Sequence, residues 1–324
     1  MKKTYKYIIL ILSGMAIVVL SLSLGSTFIS PSDIFDALMG SGHLNEQKII
    51  LSLRIPRLIM AVIVGASLAV SGVIFQSILK NPLASPYTLG IASAANLGAC
   101  IGIILFAGTV FITLGALAGG VGISFIIYLL SIRKRFSSIS LILSGVAFHF
   151  MLSSIVLVIF SLSPANQAHK AIMWMMGDLS VAHYTMLWKA APFCIIVILL
   201  SYIYYRHLNV ISLGNEFAHT LGVTKRDVQN LFWIASILAA VSVSLAGTIG
   251  FVGLIVPHVA RNLFGPDHRR LIPLSAVMGS LFLVLCDTVG RSIVPPYELP
   301  IGAITGSFGG IFFLIMMIRR GDRV

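Results

Sequence analysis

Ten apolar runs divide this chain from end to end, and the short segments between them hold most of its charged residues. A helix needs about 20 apolar residues to cross the ~30 Å hydrocarbon core of a bilayer, where every backbone polar group must bond internally. The sequence therefore predicts an all-α fold, a polytopic membrane protein with about ten transmembrane helices. The predicted spans lie at about residues 7–24, 58–78, 88–106, 110–131, 139–162, 186–205, 229–247, 250–264, 272–290 and 300–318.

Composition favours a membrane chain over a soluble or disordered one. Hydrophobic residues make up 58% of the chain and charged residues 10%, whereas soluble domains average about 45–50% and 25%. Three cysteines do not make a disulfide framework, and Cys100, Cys194 and Cys286 lie in apolar runs where small buried side chains are expected. The net charge of +12 comes from short basic clusters between the runs, a pattern typical of orientation signals and not of nucleic-acid binding.

The distribution of positive charge predicts that both termini lie in the cytoplasm. With ten spans and an inner N-terminus, 16 of the 22 Lys and Arg residues fall on the cytoplasmic side, in agreement with the positive-inside rule. The eighth run, 250–264, is short and amphipathic at its end, but omitting it would move Arg319 and Arg320 outside. No small-residue cleavage site follows the basic N-terminus, so we interpret 7–24 as a retained first helix.

The sequence lacks the motifs of common catalytic and nucleotide-binding sites. It contains no GxxxxGK[ST], HExxH or GxSxG and no paired carboxylates inside the runs. Asp287 lies near the end of the ninth run, and we interpret His149 in the fifth as a hydrogen-bond partner between helices rather than a ligand for iron or haem. We therefore predict no catalytic residue and no metal site, and the shortage of buried charge argues against a proton- or sodium-coupled carrier.

Four segments carry motifs that are specific as a set. They are LRIPRLIMAVIVGASLAVSG at 53–72, NPLASPYTLGI at 81–91, GFVGLIVPHVARNLFGPDHRRLIP at 250–273 and ELPIGAITGSFGGIFFLIMMIRR at 298–320. Together they resemble the FecCD family, the ABC-importer permeases for iron-siderophores, haem and vitamin B12. The resemblance implies a type II ABC importer permease fold and a single transmembrane permease domain over residues 1–324.

The resemblance also implies the partners and location of the chain. An ABC ATPase dimer would hold ATP and Mg²⁺, an extracytoplasmic solute-binding protein would deliver the cargo, and a second permease copy or close paralogue would complete the pathway in the lipid bilayer. The chain itself would be no enzyme and bind no cofactor, in the plasma or inner membrane of a bacterium or archaeon. An iron-siderophore chelate is expected because it is the commonest cargo in the family, with haem or a corrinoid (vitamin B12) as alternatives. An ATP-independent carrier or channel is the alternative outside the family.

The long inner loop, residues 208–227, resembles the E-A-x-x-x-G loop through which ABC permeases contact their ATPases. We expect two short amphipathic helices joined near a glycine, forming a knob that seats in a groove of the ATPase. A solvated connector is the alternative. The predicted ATPase-coupling residues are Leu213, Gly214, Glu216, Ala218, Leu221 and Gly222.

Three arginines on the predicted outer face coincide with positions where the family is similar to the vitamin B12 importer. There, outward arginines meet glutamates of the solute-binding protein, so the resemblance implies binding-protein docking by Arg54, Arg57 and Arg291. The planar guanidinium group suits this role because it can bind a carboxylate with two parallel hydrogen bonds. The alternative is that the three arginines anchor helix ends at the membrane interface.

Two segments are similar to parts of the family's transport pathway. The Asn81-Pro82 turn, where proline ends the second helix, lies near the inner end of the pathway in the family. The segment 166–180 is similar to the family's short re-entrant helix at the pathway mouth. Asn81, Pro82, Met173, Trp174 and Met175 are therefore pathway or gate candidates, with an ordinary helix stop and apolar packing as the alternatives.

Small residues recur at the spacing of closely packed membrane helices. The pairs are Gly65 with Ala69, Gly115 with Gly119, and Gly302 with Gly306. The resemblance implies that the fifth and tenth helices meet their copies across a two-fold axis, which makes Gly302 and Gly306 dimer-interface candidates. Packing within one subunit is the alternative for each pair.

Overall fold

The helices follow the apolar runs closely. The computed structural model describes residues 2–106, 108–133 and 138–321, and within these ranges it contains helices and turns but no strand. A π-helical turn, Ile49–Arg54, joins the third and fourth α-helices. The α-helices are α1 (Lys2–Ser23), α2 (Pro31–Leu38), α3 (Leu44–Lys48), α4 (Ile55–Ile78), α5 (Ile91–Phe106), α6 (Thr109–Arg133), α7 (Ser138–Leu162), α8 (Ala165–Met175), α9 (Tyr184–Ile203), α10 (Tyr205–Leu213), α11 (Asn215–Thr220), α12 (Lys225–Ala246), α13 (Val252–Phe264), α14 (His268–Gly290) and α15 (Ile301–Gly321).

Ten of these helices correspond to the ten predicted spans. In the described part of the chain, seven stretches are long and apolar enough to cross a bilayer, while α5, α13 and α15 are apolar but shorter. At 13 residues, α13 is about 20 Å long, shorter than the ~30 Å hydrocarbon core, and residues 247–251 before it are not helical. The prediction of an all-α polytopic protein with about ten membrane helices is confirmed. The seven stretches are Tyr5–Ser23, Leu44–Ile78, Thr109–Ile132, Ser138–Leu162, Tyr184–Ile203, Lys225–Ala246 and His268–Gly290.

The helical connection between the first two spans was not predicted from the sequence. α2 begins where Ser30 caps its N-terminus, with the backbone N–H of Asp33 donating to the Ser30 hydroxyl at 3.2 Å and Pro31 at the first helical position. This arrangement, a capping serine followed by proline and an acidic residue, is a helix-start signal that the sequence does show. The second span is also longer than predicted, because α3 and the π-helical turn extend it back to Leu44.

The central helix α4 is buried over most of its length and packs against α9, α12, α13 and α14. Two glycines on one face of it, Gly65 and Gly72, bring neighbouring backbones into contact. A methyl group added at Gly65 would lie 2.3 Å from the carbonyl oxygen of Gly279, and one at Gly72 would lie 1.8 Å from that of Gly253. Small residues permit this approach, so the packing predicted at Gly65 is confirmed.

A second close pair is formed by α5 and α6. A methyl group at Gly115 would lie 2.3 Å from the carbonyl oxygen of Gly98, and one at Gly119 would lie 2.1 Å from that of Ala94. The predicted small-residue packing of this pair is therefore also confirmed, and it lies within the subunit. A hydrogen bond between the Ser93 hydroxyl and His149 Nδ1 (2.5 Å) then joins α5 to α7, as predicted for His149.

Cys100, Cys194 and Cys286 are buried, as their apolar surroundings predicted. Each lies in a membrane helix, α5, α9 or α14 respectively. Free cysteine packs as a small hydrophobic side chain and is among the most often buried residues, which accounts for these positions.

Between α12 and α13 the chain leaves helical geometry at residues 247–251. Gly247 and Phe251 have positive φ angles of 67° and 68°, and the Thr248 hydroxyl donates to the side-chain oxygen of Asn96 at 2.7 Å. The last carbonyl of α12, at Ala246, accepts the backbone N–H of Asp178 at 2.9 Å. Irregular backbone within a membrane helix bundle needs such partners because lipid supplies none.

α4 defines the two ends of the bundle. One end lies at Arg54, where α4 begins, and the other lies at the Asn81-Pro82 turn, just after α4 ends. We call these the Arg54 end and the Asn81 end.

Candidate functional site

The predicted pair of short helices lies at the Asn81 end. α10 ends at Leu213, Gly214 with a φ of 138° breaks the helix, and α11 begins at the next residue. We call residues 205–222 the coupling segment. Two short helices joined at a glycine were predicted, and this geometry is confirmed. The role in coupling stays a prediction.

Among the described side chains of the coupling segment, two leucines are exposed. Leu213 is 66% exposed and Leu221 is 60% exposed, while Ala218 is buried against the bundle. The backbone of Glu216 lies in α11, but its side chain is outside the described part of the chain. With Ala218 buried against the bundle and the two leucines exposed, the segment projects from the bundle as a knob.

The end of the coupling segment is fixed by turn geometry. Gly222 has a φ of 83°, its backbone N–H donates to the His219 carbonyl at 3.2 Å, and open space surrounds its Cα. Thr224 then caps α12: its hydroxyl accepts the backbone N–H of Asp227 at 3.3 Å, and its own N–H donates to the Asp227 carboxylate at 2.8 Å. This reciprocal pair starts α12 at a defined residue, so the knob is short and bounded.

The coupling segment is fastened to the bundle by a polar side-chain network. The backbone N–H and Nδ1 of buried His268, at the start of α14, both lie within hydrogen-bond distance of the Asn209 side-chain oxygen, at 2.8 and 2.7 Å. On its other side, Nε2 of His268 lies 2.7 Å from the hydroxyl of Ser77 near the end of α4. The network therefore ties α10 to both α14 and α4.

Asp267 completes the network at the surface. The Asn209 amide donates to one Asp267 carboxylate oxygen at 2.8 Å, and the backbone N–H of Arg269 donates to the same oxygen at 3.0 Å. These hydrogen bonds, led by that from Asn209, lower the pKa of Asp267 below its ordinary value. The carboxylate is thus held in its charged form as the cap of α14.

The Asn81-Pro82 turn lies four residues beyond Ser77. Asn81 accepts the backbone N–H of Leu83 on its side-chain oxygen at 2.9 Å, which shapes the turn, while Pro82 and Leu83 are exposed. α4 ends at Ile78, before the Asn-Pro step, as predicted. The turn has a fixed base and an exposed tip, and its place in the pathway stays a prediction.

Gln76 links this end of α4 to α13. Its amide donates to the carbonyl of Leu254 at 3.2 Å, and its oxygen accepts from the guanidinium group of Arg261 at 3.2 Å. Gln76, Ser77, Asn209 and His268 were not identified from the sequence, because their partners lie 59 to 191 residues apart along the chain. Asp267, directly before α14, is a signal that the sequence does show, because an aspartate at this position is a common N-cap of a helix.

The segment 166–180 supplies most of the short helix α8, and its place at the mouth of the pathway stays a prediction. Its three pathway candidates do not share one environment. Met173 is exposed, whereas Trp174 and Met175 are half-buried, with Met175 Sδ 4.0 Å from the thiol of Cys100. Met173 is therefore the candidate with an open face, and Trp174 and Met175 pack within the subunit.

The three arginines predicted to dock a binding protein cluster at the Arg54 end. Arg57 forms ion pairs with Asp287 at 2.8 Å and with Glu298 at 2.6 Å, and Arg291 lies 3.4 Å from the same Asp287. Arg54 and Arg291 are each 5% exposed. All three guanidinium groups therefore already have partners inside the subunit, and their docking role stays a prediction.

Arg54 and Arg291 also hold the end of the first helix. Arg54 donates to the carbonyl groups of Leu22, Ser23 and Thr27, and Arg291 donates to the carbonyl of Ser21. Positive side chains are favourable at a helix C-terminus because the last carbonyls lack helical partners. This geometry fits the alternative of helix-end anchoring.

The two dimer-interface candidates on α15 differ in their surroundings. A methyl group added at Gly302 would lie 2.4 Å from the carbonyl oxygen of Met176, so this glycine is already packed within the subunit. Gly306, one turn later, has open space in place of a side chain. Within the described residues, Gly306 is the member of the pair that is free to meet another chain.

The sequence match decides the family of this protein. The model of the FecCD transport family matches residues 10–319, nearly the whole chain. The chain belongs to the FecCD transport family. FecCD proteins are ABC transporter permeases, so this chain is a multi-pass membrane permease of an ABC importer.

Individual FecCD relatives support the assignment over almost their full length. The chain is 33% identical to the iron(3+)-hydroxamate import system permease protein FhuG of Bacillus subtilis, covering 93% of this chain and 92% of FhuG. It is 35% identical to the hemin transport system permease protein HmuU of Yersinia pestis, covering 97% of each. A solved structure described as an inward-facing conformation of a metal-chelate type ABC transporter matches with a TM-score of 0.85 and 27% identity, covering 96% of this chain and 97% of that one.

Proposed function

We propose that this FecCD permease carries an iron-siderophore chelate into the cell by alternating access, driven by a separate ATPase dimer and fed by a solute-binding protein. A second copy of the chain, or a close paralogue, would enclose the pathway with it. The proposal combines the family membership with the coupling segment at the Asn81 end. The alternative cargoes are haem and a corrinoid.

The coupling segment is the observation that carries the energy-coupling part of the proposal. Leu213 and Leu221 present exposed apolar side chains outside the membrane helices, where a partner groove can bury them. The Asn209–His268–Ser77 network gives the knob a firm base on α14 and α4. A force applied to the knob is thereby transmitted to helices that cross the membrane.

The proposed orientation places the Asn81 end in the cytoplasm. Lys80, Arg206, Lys225 and Arg226 lie at this end, as the positive-inside rule requires for short inner connections. The Arg54 end then faces outward, where the binding protein would dock. Of the three predicted docking arginines, Arg57 pairs with a partly exposed carboxylate, that of Glu298, which an incoming carboxylate can displace.

We favour an iron-siderophore as the cargo over haem for two reasons. FhuG, a relative, is an iron(3+)-hydroxamate import permease, and iron-siderophores are the commonest cargo in the family. The HmuU relative keeps haem as the second candidate. The test is uptake into liposomes that contain the chain with its ATPase and binding protein, offered a ferric hydroxamate, hemin or cobalamin. ATP-dependent uptake of the ferric hydroxamate alone supports the proposal, hemin or cobalamin uptake replaces the cargo, and uptake without ATP refutes the importer mechanism.

The coupling part of the proposal has its own test. Leu213→Asp and Leu221→Asp should reduce co-purification of the ATPase, because each places a charge in the apolar contact. Leu44→Asp is the matched control, since Leu44 is an exposed leucine in α3 at the opposite end. Equal ATPase recovery for all three variants would remove the coupling segment from the mechanism.

A further inference from the structure

A groove runs along the outside of the bundle between α1 and α14. It has a volume of about 590 Å³, and its walls are the α1 face from Tyr7 to Val19 together with Leu274, Val277 and Leu281 of α14. The two helices approach at Gly14, where an added methyl group would lie 3.3 Å from Leu281. The groove is therefore apolar, and it stays open at Gly14 because glycine has no side chain to fill it.

The length of the groove matches one leaflet of a bilayer. From Tyr7 to Val19 the helix rises about 18 Å, whereas half of the hydrocarbon core measures about 15 Å. The groove begins near the Asn81 end, because α14 starts at His268 beside the coupling segment. Its apolar part thus lies at the depth of the acyl chains of a single leaflet.

A smaller hollow of about 250 Å³ adjoins the groove at the headgroup level. Lys6 and Arg270 line it together with Phe264, and Tyr7 lines both spaces. The rings of Tyr7 and Phe264 lie 5.4 Å apart between the two spaces. Aromatic rings of this kind are typical of the membrane interface, where one side is apolar and the other polar.

The charges of the hollow favour an anion. Lys6 uses one of its three N–H donors on the Leu263 carbonyl at 2.6 Å, and the exposed Arg270 side chain offers five donors. Asp267 is the neighbouring carboxylate, and one of its oxygens already accepts hydrogen bonds from Asn209 and from the Arg269 backbone. Two cations against one engaged carboxylate leave the hollow positively charged.

We propose that α1, α13 and α14 form a binding site for one anionic phospholipid. Its phosphate lies between Lys6 and Arg270, and an acyl chain fills the groove beneath Tyr7. Basic pockets between membrane helices are suited to anionic headgroups, and the continuous apolar groove distinguishes a lipid from a free phosphate ion. In the proposed orientation this lipid belongs to the cytoplasmic leaflet, but the site itself does not depend on the transport function.

Native mass spectrometry of the detergent-purified full chain tests this site, with phosphatidylglycerol and phosphatidylcholine of identical acyl chains as probes. Phosphatidylglycerol should bind more tightly, and the double variant Lys6→Gln/Arg270→Gln should weaken its binding about 10- to 30-fold without affecting phosphatidylcholine. Lys48→Gln/Lys189→Gln is the matched control, because it removes two exposed lysines elsewhere on the chain. Equal binding of the two lipids, or equal loss in the control, would overturn the proposal.

Two further measurements separate a lipid from other occupants. Val277→Trp fills the groove and should weaken phosphatidylglycerol binding although it removes no charge, since Val277 is exposed on the groove wall. Millimolar inorganic phosphate should leave the bound lipid in place. Unchanged binding by Val277→Trp, or displacement by phosphate, would show that the hollow binds an anion alone and that the groove is not part of the site.

Discussion

His268 reaches Asn209 twice, through its backbone N–H at 2.8 Å and through its ring Nδ1 at 2.7 Å, and both contacts end on the same side-chain oxygen. Because the backbone N–H can only donate, that atom of Asn209 is the amide oxygen, and Nδ1 of His268 carries a proton. Nε2 is left to face the Ser77 hydroxyl at 2.7 Å. One buried imidazole therefore connects the coupling segment with two membrane helices.

Asn209→Leu should uncouple the knob from the bundle. The substitution keeps the side-chain size but leaves the buried His268 donors unpaired, at a cost of about 1–3 kcal/mol. The ATPase should still co-purify, whereas substrate-stimulated ATP hydrolysis should fall. Asn45→Leu is the control, since Asn45 is an exposed asparagine in α3. Full stimulation in Asn209→Leu would show that the network is not needed for coupling.

Gly222→Trp should disturb ATPase docking while leaving the membrane helices folded. Gly222 has open space around it but a φ of 83°, which side-chain-bearing residues rarely adopt, so the end of the coupling segment must shift. Gly122→Trp is a matched control, because Gly122 also has open space but lies within helix α6. ATPase recovery as high as in the control would contradict the prediction.

Asp287→Asn should lower the thermal stability of the purified chain strongly. It removes the shared partner of Arg57 and Arg291 in a site where the Asp287 side chain is 3% exposed, and breaking a buried pair costs about 3–5 kcal/mol. The comparison variant is Glu298→Gln, whose carboxylate is 42% exposed and should matter much less. Similar unfolding temperatures for both variants would show that burial does not set the strength of these pairs.

Leucine substitutions at the two α15 glycines should separate folding from dimerisation. Gly302→Leu should destabilise the monomer, because its side chain would meet the Met176 carbonyl. Gly306→Leu should leave thermal unfolding of the monomer unchanged and reduce intersubunit cysteine crosslinking along 301–316. Crosslinking at the unsubstituted level in Gly306→Leu would place the dimer contact elsewhere.

The sequence predicted what repeats along the chain or occurs locally, and the structure added what joins distant segments. Ten apolar runs and the glycine between two short helices at 214 were readable because each depends on neighbouring residues. The partners of Arg57 were not, because Asp287 and Glu298 lie 230 and 241 residues away. The residues next to an arginine at a helix end look the same in sequence whether its side chain is exposed or buried. Arg54, Arg57 and Arg291 were therefore predicted to face a binding protein, whereas the structure pairs them within the subunit.

The glycine contacts of α4 restrict how this permease can change shape. Gly65 touches the backbone of α14 and, two turns along, Gly72 touches that of α13, with no room for even one methyl group at either point. Sliding α4 along either neighbour by one residue would bring a residue with a side chain to the contact point, where there is no space for a Cβ atom. We therefore expect α4, α13 and α14 to move together, with the larger movements of a transport cycle outside these three helices.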